Sequence, residues 1–252
     1  MHCIMKILVC ISAVPDTTSK INFTANDTEF DTQGVQFVIN PNDEFGLTRA
    51  IWFQEKQGAE VHIATVGTAS VEPIMRKALA IGADKGFRID AVPSDGFFVA
   101  TQLSSLIQRE QYDVVICGRE SIDYNGAMVG GLIAQQCKYA FINTCVKLEI
   151  EGTVAKAVRE IDGGNERLSA KLPLVIGAQK GLVEESDLKI PNMRGIMMAR
   201  QKTIEVVPAE NIEARTADVR FERPAAKGEV TLIEPNDLDT LIDLLHKEAK
   251  VL

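Results

Sequence analysis

The chain has 252 residues, is 46% hydrophobic and 25% charged, and carries a formal net charge of −8. This is the make-up of a soluble globular protein with room for one large domain, or a domain plus an appendage. No block of Lys and Arg stands out, which argues against nucleic-acid binding, and no apolar run is long enough for direct membrane insertion. The five cysteines (Cys3, Cys10, Cys117, Cys137, Cys145) form no CxxC pair. A disulfide framework is therefore not expected, and a reducing cytoplasm fits better. The stretch from Met1 to Lys6 lacks a signal-peptide pattern.

Ile7 to Ile11 is a continuous apolar run, as are Val61–Val66 and Val114–Cys117. Strands buried on both faces read this way, and parallel sheets covered by helices contain them. Helical patterns lie between. Val35–Ile39 is strand-like, and after it Asn42 is predicted to cap a helix from Asp43 to about Gln57. Val71, Ile74, Met75 and Ala78 repeat at helical spacing, with Gly82 as a stop. Val99, Leu103, Leu106 and Ile107 do the same, and a fourth helix is expected from about Ala127 to Gln136. Strand–helix alternation predicts an α/β fold built as a doubly wound, mainly parallel sheet.

Residues 142–178 follow another rule. Val146, Leu148 and Ile150 alternate with polar residues, Glu151-Gly152 can turn the chain, and Asp162-Gly163-Gly164 is a hairpin signal. An antiparallel hairpin addition is predicted, closing on Leu174–Ile176. Past Gly181 the core signal fades. Residues 182–200 carry acids and the methionines Met193, Met197 and Met198, and 206–235 look extended. Asn236 is predicted to cap a last helix striped by Leu238, Leu241, Ile242 and Leu245. The chain thus divides into an α/β domain at 1–181 and a long C-terminal arm at 182–252. That arm either packs on another chain, which the need to bury its apolar stripe favours, or folds back over its own domain.

Two segments can hold a ligand. Asn40-Pro41-Asn42-Asp43 opens a helix, where backbone N–H groups suit an anion or a ribose hydroxyl; a Pro turn with an ordinary cap is the plainer reading. Gly118 to Gly131 follows the strand at Val114–Cys117, and ligands of open α/β sheets bind at such strand ends. Gly126, Gly130 and Gly131 would let the backbone approach a phosphate, and Asp123 could accept from a ribose or adenine donor. The spacing is neither a Walker loop nor GxGxxG. His2, His62 and His246 are scattered, with no metal-ligand spacing and no nucleophile elbow. Glu160 and Glu166 read as a solvated hairpin rim rather than a catalytic pair. Nucleotide binding is favoured over bond-making.

Four stretches resemble the β subunit of electron-transfer flavoproteins: Lys6–Ser12, Ile39–Glu44, Cys117–Ala134, and Val158–Val175 with Ile190–Met193 and Ile204–Val206 following. The most specific is Glu160-Ile161-Asp162-Gly163-Gly164-Asn165-Glu166 ahead of Leu172-Pro173-Leu174-Val175-Ile176. The resemblance implies an adenine nucleotide α-hydrolase-like fold in a heterodimer with an α subunit. It implies AMP in this chain, FAD held mainly by the α subunit, and electrons accepted from flavin dehydrogenases of the acyl-CoA dehydrogenase type. In an electron-bifurcating subset FAD replaces AMP in the β site and NADH is the donor; the Asp123–Gly131 spacing resembles that subset.

Carried over residue by residue, the resemblance implies a nucleotide site at Cys10, Asn40, Pro41, Asn42, Asp43, Val66, Asp123, Asn125, Gly126, Ala127, Met128, Val129, Gly130 and Gly131. It implies no catalytic residue and no metal. It also implies a dehydrogenase-recognition loop anchored by Ile190 with Pro191 and Met193, and places Glu166 on a hairpin facing the α subunit. Glu184–Lys189 and Arg194–Lys202 depart from the family pattern around the anchor, which leaves the donor open. Two other classes compete: a homodimeric nucleotide-binding module of the stress type, for which the hairpin and arm are too much chain, and a nucleotide-dependent ligase or sulfurylase-like enzyme, whose phosphate loop is missing at Ser12–Asp16.

Overall fold

The computed structural model describes residues 4–225, 228 and 230–252, so that Met1 to Cys3, read above for a leader, lie outside them. β1 (Lys6–Cys10) is followed by β2 (Ala13–Pro15), a short hairpin of β3 (Phe23–Thr24) and β4 (Glu29–Phe30), and β5 (Phe37–Ile39). Then come α1 (Pro41–Gln57), β6 (Glu60–Val66), α2 (Glu72–Ile81), β7 (Lys85–Asp90), α3 (Gly96–Glu110), β8 (Val114–Gly118) and α4 (Val129–Cys137). β9 (Ala140–Glu151), β10 (Val154–Ile161), β11 (Gly164–Lys171) and β12 (Leu174–Ala178) form the hairpin region. α5 (Met193–Ala199), β13 (Ile204–Pro208) and α6 (Leu238–Asp243) complete the chain.

Nine strands make one sheet in the order β11-β10-β9-β12-β8-β1-β6-β7-β13. From β12 to β13 all pairings are parallel, and β10 joins β9 and β11 antiparallel. The apolar runs are continuous because both faces are covered. Ile7, Val9, Val61, Ile63, Val114, Ile116, Leu174 and Ile176 point to one core with residues of α1 and α2. Leu8, Cys10, Ala64, Val115, Cys117 and Val175 point to the other with residues of α3 and α4. Strand side chains alternate faces, so each run feeds both cores. Each such Ile, Leu or Val contributes about 1.5–3 kcal/mol by leaving water.

Several boundaries differ from the expectation. α1 begins at Pro41 with Asn40 as its cap residue, not at Asp43 behind Asn42, because proline's fixed φ suits the first helical position. α4 begins at Val129, since Asn125 and Ala127 hold left-handed φ values of 49° and 48° that no helix can include. Asp237, not Asn236, caps α6 by accepting from Thr240 N at 3.1 Å. Val35–Ile39 yields only β5, which pairs with β2 outside the main sheet. β7 was not foreseen. Its Lys85, Arg88 and Asp90 break the apolar run, and Arg88 is buried against Asp90 and the Gly67 carbonyl.

Residues past 181 take part in the sheet. β13 pairs with β7 along Ile204–Pro208. α5 packs on α2, tied by Arg76 Nη1 donating to the carbonyls of Ala199 (2.7 Å) and Lys202 (2.6 Å). Lys202 Nζ donates to Leu79 O (3.1 Å), Gly82 O (3.3 Å) and Ala83 O (2.6 Å), closing the carboxyl end of α2. The arm beyond β13 first folds back over its own domain: Phe221 stacks on Phe23 with ring centroids 4.8 Å apart. α6 leaves Leu238 and Ile242 exposed. No helix among the described residues is long and apolar enough to cross a membrane.

Candidate functional site

In the sheet order, β6 and β7 lie on one side of β1 while β8 and β12 lie on the other. The crossovers leave in opposite directions, and a crevice opens at the carboxyl ends of β1 and β8. A cavity of about 400 Å³ occupies it. Its floor is Cys10–Ala13 after β1, Thr65 and Val66 at the end of β6, and Cys117–Ser121 at the end of β8. Pro93–Gly96 before α3, Asp123–Val129 before α4, and Thr216–Asp218 of the arm complete the wall.

Asp43 spans the switch point. It lies in the first turn of α1, and its two carboxylate oxygens accept from Ser12 N (2.7 Å) and Gly118 N (2.8 Å). One side chain thereby joins the exits of β1 and β8. Burial pushes its carboxyl up to about 7, against the two amide hydrogen bonds that favour the ionised form. Gly118 must be glycine: an added Cβ would stand 2.8 Å from Asn40 Nδ2, 2.9 Å from Asn42 Cβ, and nearer still to Asp43 Oδ1.

Of the fourteen positions implied for a nucleotide, Cys10, Asp43, Val66, Asp123, Gly126, Ala127, Met128 and Val129 line the cavity. Asn40, Pro41, Asn42, Asn125, Gly130 and Gly131 do not. Asn40 and Asn42 work behind the wall, their side-chain amides donating to the Glu120 carbonyl at 2.9 and 3.0 Å. Pro41 starts α1. Asn125 turns the loop, and Gly130 and Gly131 let α4 lie on Phe141, whose ring would meet an added Cβ at 3.1 and 3.5 Å. The first turn of α4 leaves backbone N–H groups without intrahelical partners, and no side chain caps them.

Sequence reasoning missed Asp95, Tyr124 and the arm residues 216–218. Pro93-Ser94-Asp95-Gly96 ahead of Phe98 is a helix-start signal that could have flagged Asp95. No local signal places an arm residue 120 positions away beside it. Burial alone would raise the Asp95 carboxyl, but backbone N–H donors from Phe98, Arg215 and Thr216 and the Thr216 hydroxyl hold it below its ordinary range.

Cys10, Cys117, Cys137 and Cys145 are free thiols. Cys10 and Cys117 stand side by side beyond the paired Val9 and Ile116, and their mutual contact and burial push the Cys10 thiol well up, so it stays protonated. Among the described residues no three His, Cys, Asp or Glu side chains could hold a metal. His62 is a satisfied core residue, bonded to the Tyr112 hydroxyl (2.9 Å) and Glu60 (2.8 Å). Glu166 pairs with Arg159 at 2.6 Å on the hairpin, away from the cavity wall. Ile190, Pro191 and Met193 lie between the anchored Leu188 and the buried Ala199; Ile190 is 81% and Met193 76% exposed.

Fold and crevice define a class: an open, doubly wound α/β domain with a ligand-sized cavity at the switch point of its sheet. Residues 27–212 match the family described as electron transfer flavoprotein domain. The chain is 30% identical to "Electron transfer flavoprotein subunit beta" of Bacillus subtilis over 98% of its own length and all of that protein. It is 33% identical to the protein of the same name from Thermoanaerobacterium thermosaccharolyticum, covering 83% of this chain and 80% of that one. The human protein of that name is 32% identical, with 81% of each chain covered. The chain belongs to the electron transfer flavoprotein β-subunit family.

Proposed function

We propose that this β subunit holds AMP in the switch-point cavity and pairs with an α subunit that carries FAD. The pair takes electrons from flavin dehydrogenases of the acyl-CoA dehydrogenase type. The single observation that carries the nucleotide reading is the cavity itself, about 400 Å³ and bounded by the exits of β1, β6 and β8. That volume lies at the small end of ligand pockets. It suits a mononucleotide better than a dinucleotide such as FAD, and so favours a simple carrier over a bifurcating one.

The donor set fits the group. Asp123 and Glu120 can accept from ribose hydroxyls or the adenine amino group, and the loop and first turn at 126–131 can offer backbone N–H groups to phosphate. Asp43, Asn40 and Asn42 position these parts by locking the β8 exit. The work of this chain is to bind, orient and exclude water, and FAD supplies the redox chemistry. Ile190, Pro191 and Met193 form a protruding apolar edge suited to a pocket on the donor. Glu166 would face the α subunit, and the exposed stripe of α6 would find cover there.

Gly126→Val tests the site. A Cβ at Gly126 meets only Met128 Cε, at 3.7 Å, so the fold tolerates the change while cavity space is lost. The nucleotide content of the co-expressed heterodimer, read after acid release, should fall. Full occupancy in that variant would remove the site, and two flavins per wild-type heterodimer would replace AMP with FAD.

A further inference from the structure

The arm after β13 crosses the cavity and is fastened on both sides of it. Gln102 and Glu210 exchange hydrogen bonds, with Gln102 Nε2 donating to Glu210 O at 2.8 Å and Glu210 N donating to Gln102 Oε1 at 3.0 Å. The next tie is Asp95. One of its oxygens caps α3 by accepting from Phe98 N at 2.7 Å. The other accepts from Arg215 N (2.7 Å), Thr216 N (2.8 Å) and Thr216 Oγ1 (3.2 Å). The Arg215 guanidinium lies 3.8 Å over the Phe97 ring. On the opposite wall the Tyr124 hydroxyl donates to Asp218 Oδ2 at 3.0 Å. Thr216, Ala217 and Asp218, between these ties, line the cavity.

We propose that residues 215–218 are a strap that retains the nucleotide and restricts the site to a mononucleotide, with Asp95 and Tyr124 as the positioning residues that hold it. The proposal rests on the nucleotide reading above. The strand exits and helix starts of the wall are fixed by the sheet and its helices, whereas the strap is held by bonds to the side chains of Asp95 and Tyr124 and can yield. A dinucleotide is more than twice the size of a mononucleotide and needs that wall open. The strap also adds to the negative charge of the wall. Its Asp218 joins Asp95, Glu120 and Asp123 along the wall, against the guanidinium of Arg119 among the lining residues. A single phosphate at the start of α4 is tolerated there, and a second one nearer the strap is repelled.

The test uses the full-length protein with its α subunit, loaded with labelled AMP and chased with unlabelled AMP or with FAD. Asp95→Asn keeps the helix cap through its oxygen but turns an amide donor toward the three strap donors. Tyr124→Phe removes one surface hydrogen bond and leaves α3 untouched. Release of AMP should accelerate about tenfold in Asp95→Asn, the effect of one charge-assisted hydrogen bond, and by about threefold in Tyr124→Phe. Both variants should take up FAD that the wild type excludes. Wild-type release rates in both variants would overturn the strap while leaving the nucleotide site standing. Ready exchange of AMP for FAD in the wild type would overturn the size restriction. A wild-type protein that holds no adenine nucleotide would overturn the underlying reading.

Discussion

The Asp43 bridge makes a pH-dependent prediction that can be worked from its surroundings. The folded chain keeps the Asp43 proton up to about pH 7, while an unfolded aspartate releases it near 3.8. Between those values the folded state binds more protons than the unfolded one, so stability falls as pH rises across the window. The loss from this one group is bounded by about 4 kcal/mol, because each unit of pKa difference is worth about 1.4 kcal/mol. Asp43→Asn removes the titration. It keeps one acceptor for one of the two amides and turns its own N–H groups toward the other, at a cost of about 1–3 kcal/mol.

The variant should therefore be less stable than the wild type near pH 4, with the gap closing as pH rises and reversing by pH 8, where the full loss of about 4 kcal/mol is reached. The assay is urea unfolding of the nucleotide-free chain at a series of pH values. It can be followed by Trp52, the one tryptophan, which lies on α1 together with Asp43. Carboxyls held below their ordinary range, such as Asp95 and Glu205, lose their contribution at lower pH and do so equally in both proteins. Parallel stability curves for wild type and Asp43→Asn from pH 4 to 8 would refute the account of a proton held by burial.

Other substitutions probe other joints. Gly118→Ala forces a methyl into Asn40, Asn42 and Asp43 and should cost about 2 kcal/mol, read as a lower urea midpoint. Lys202→Met leaves three carbonyls at the end of α2 without their cation; about 2 kcal/mol should be lost, and limited proteolysis after residue 192 should quicken. Ile190→Asp should slow electron acceptance from the donor dehydrogenase by tenfold or more while the heterodimer elutes unchanged from a sizing column. Unaltered steady-state transfer in that variant would remove the recognition edge.

The parts of the fold that were readable are those whose physics is local. β1, β6 and β8 announce themselves as unbroken apolar runs because both their faces are covered. The turn of the β10–β11 hairpin follows from Asp162-Gly163, with Gly163 at a φ of 85°. β7 was hidden because Arg88 is buried there with its own counter-charges, so the run reads as polar. At the site, Asp43 and the loop from Asp123 to Val129 were readable as strand-exit segments. The backing role of Asn40 and Asn42 was not, since it depends on the Glu120 carbonyl some 80 positions away. The strap was out of reach for the same reason: one carboxylate at Asp95 gathers donors from 120 residues downstream.

β13 has a consequence for how the chain is made. Until Ile204–Pro208 leaves the ribosome, β7 has neighbours on one side only, and its outer row of N–H and C=O groups is open to any strand that comes near. A nascent chain stalled or cleaved near residue 181 would carry that bare flank on a core still missing Leu182, Val183 and Ala199, a shape that invites pairing between copies. β13 then becomes the edge, blunted by its shortness and by Pro208, which offers no donor to a further strand. Synthesis of this subunit thus covers the flank of β7 with a five-residue piece, well before the tail that follows it.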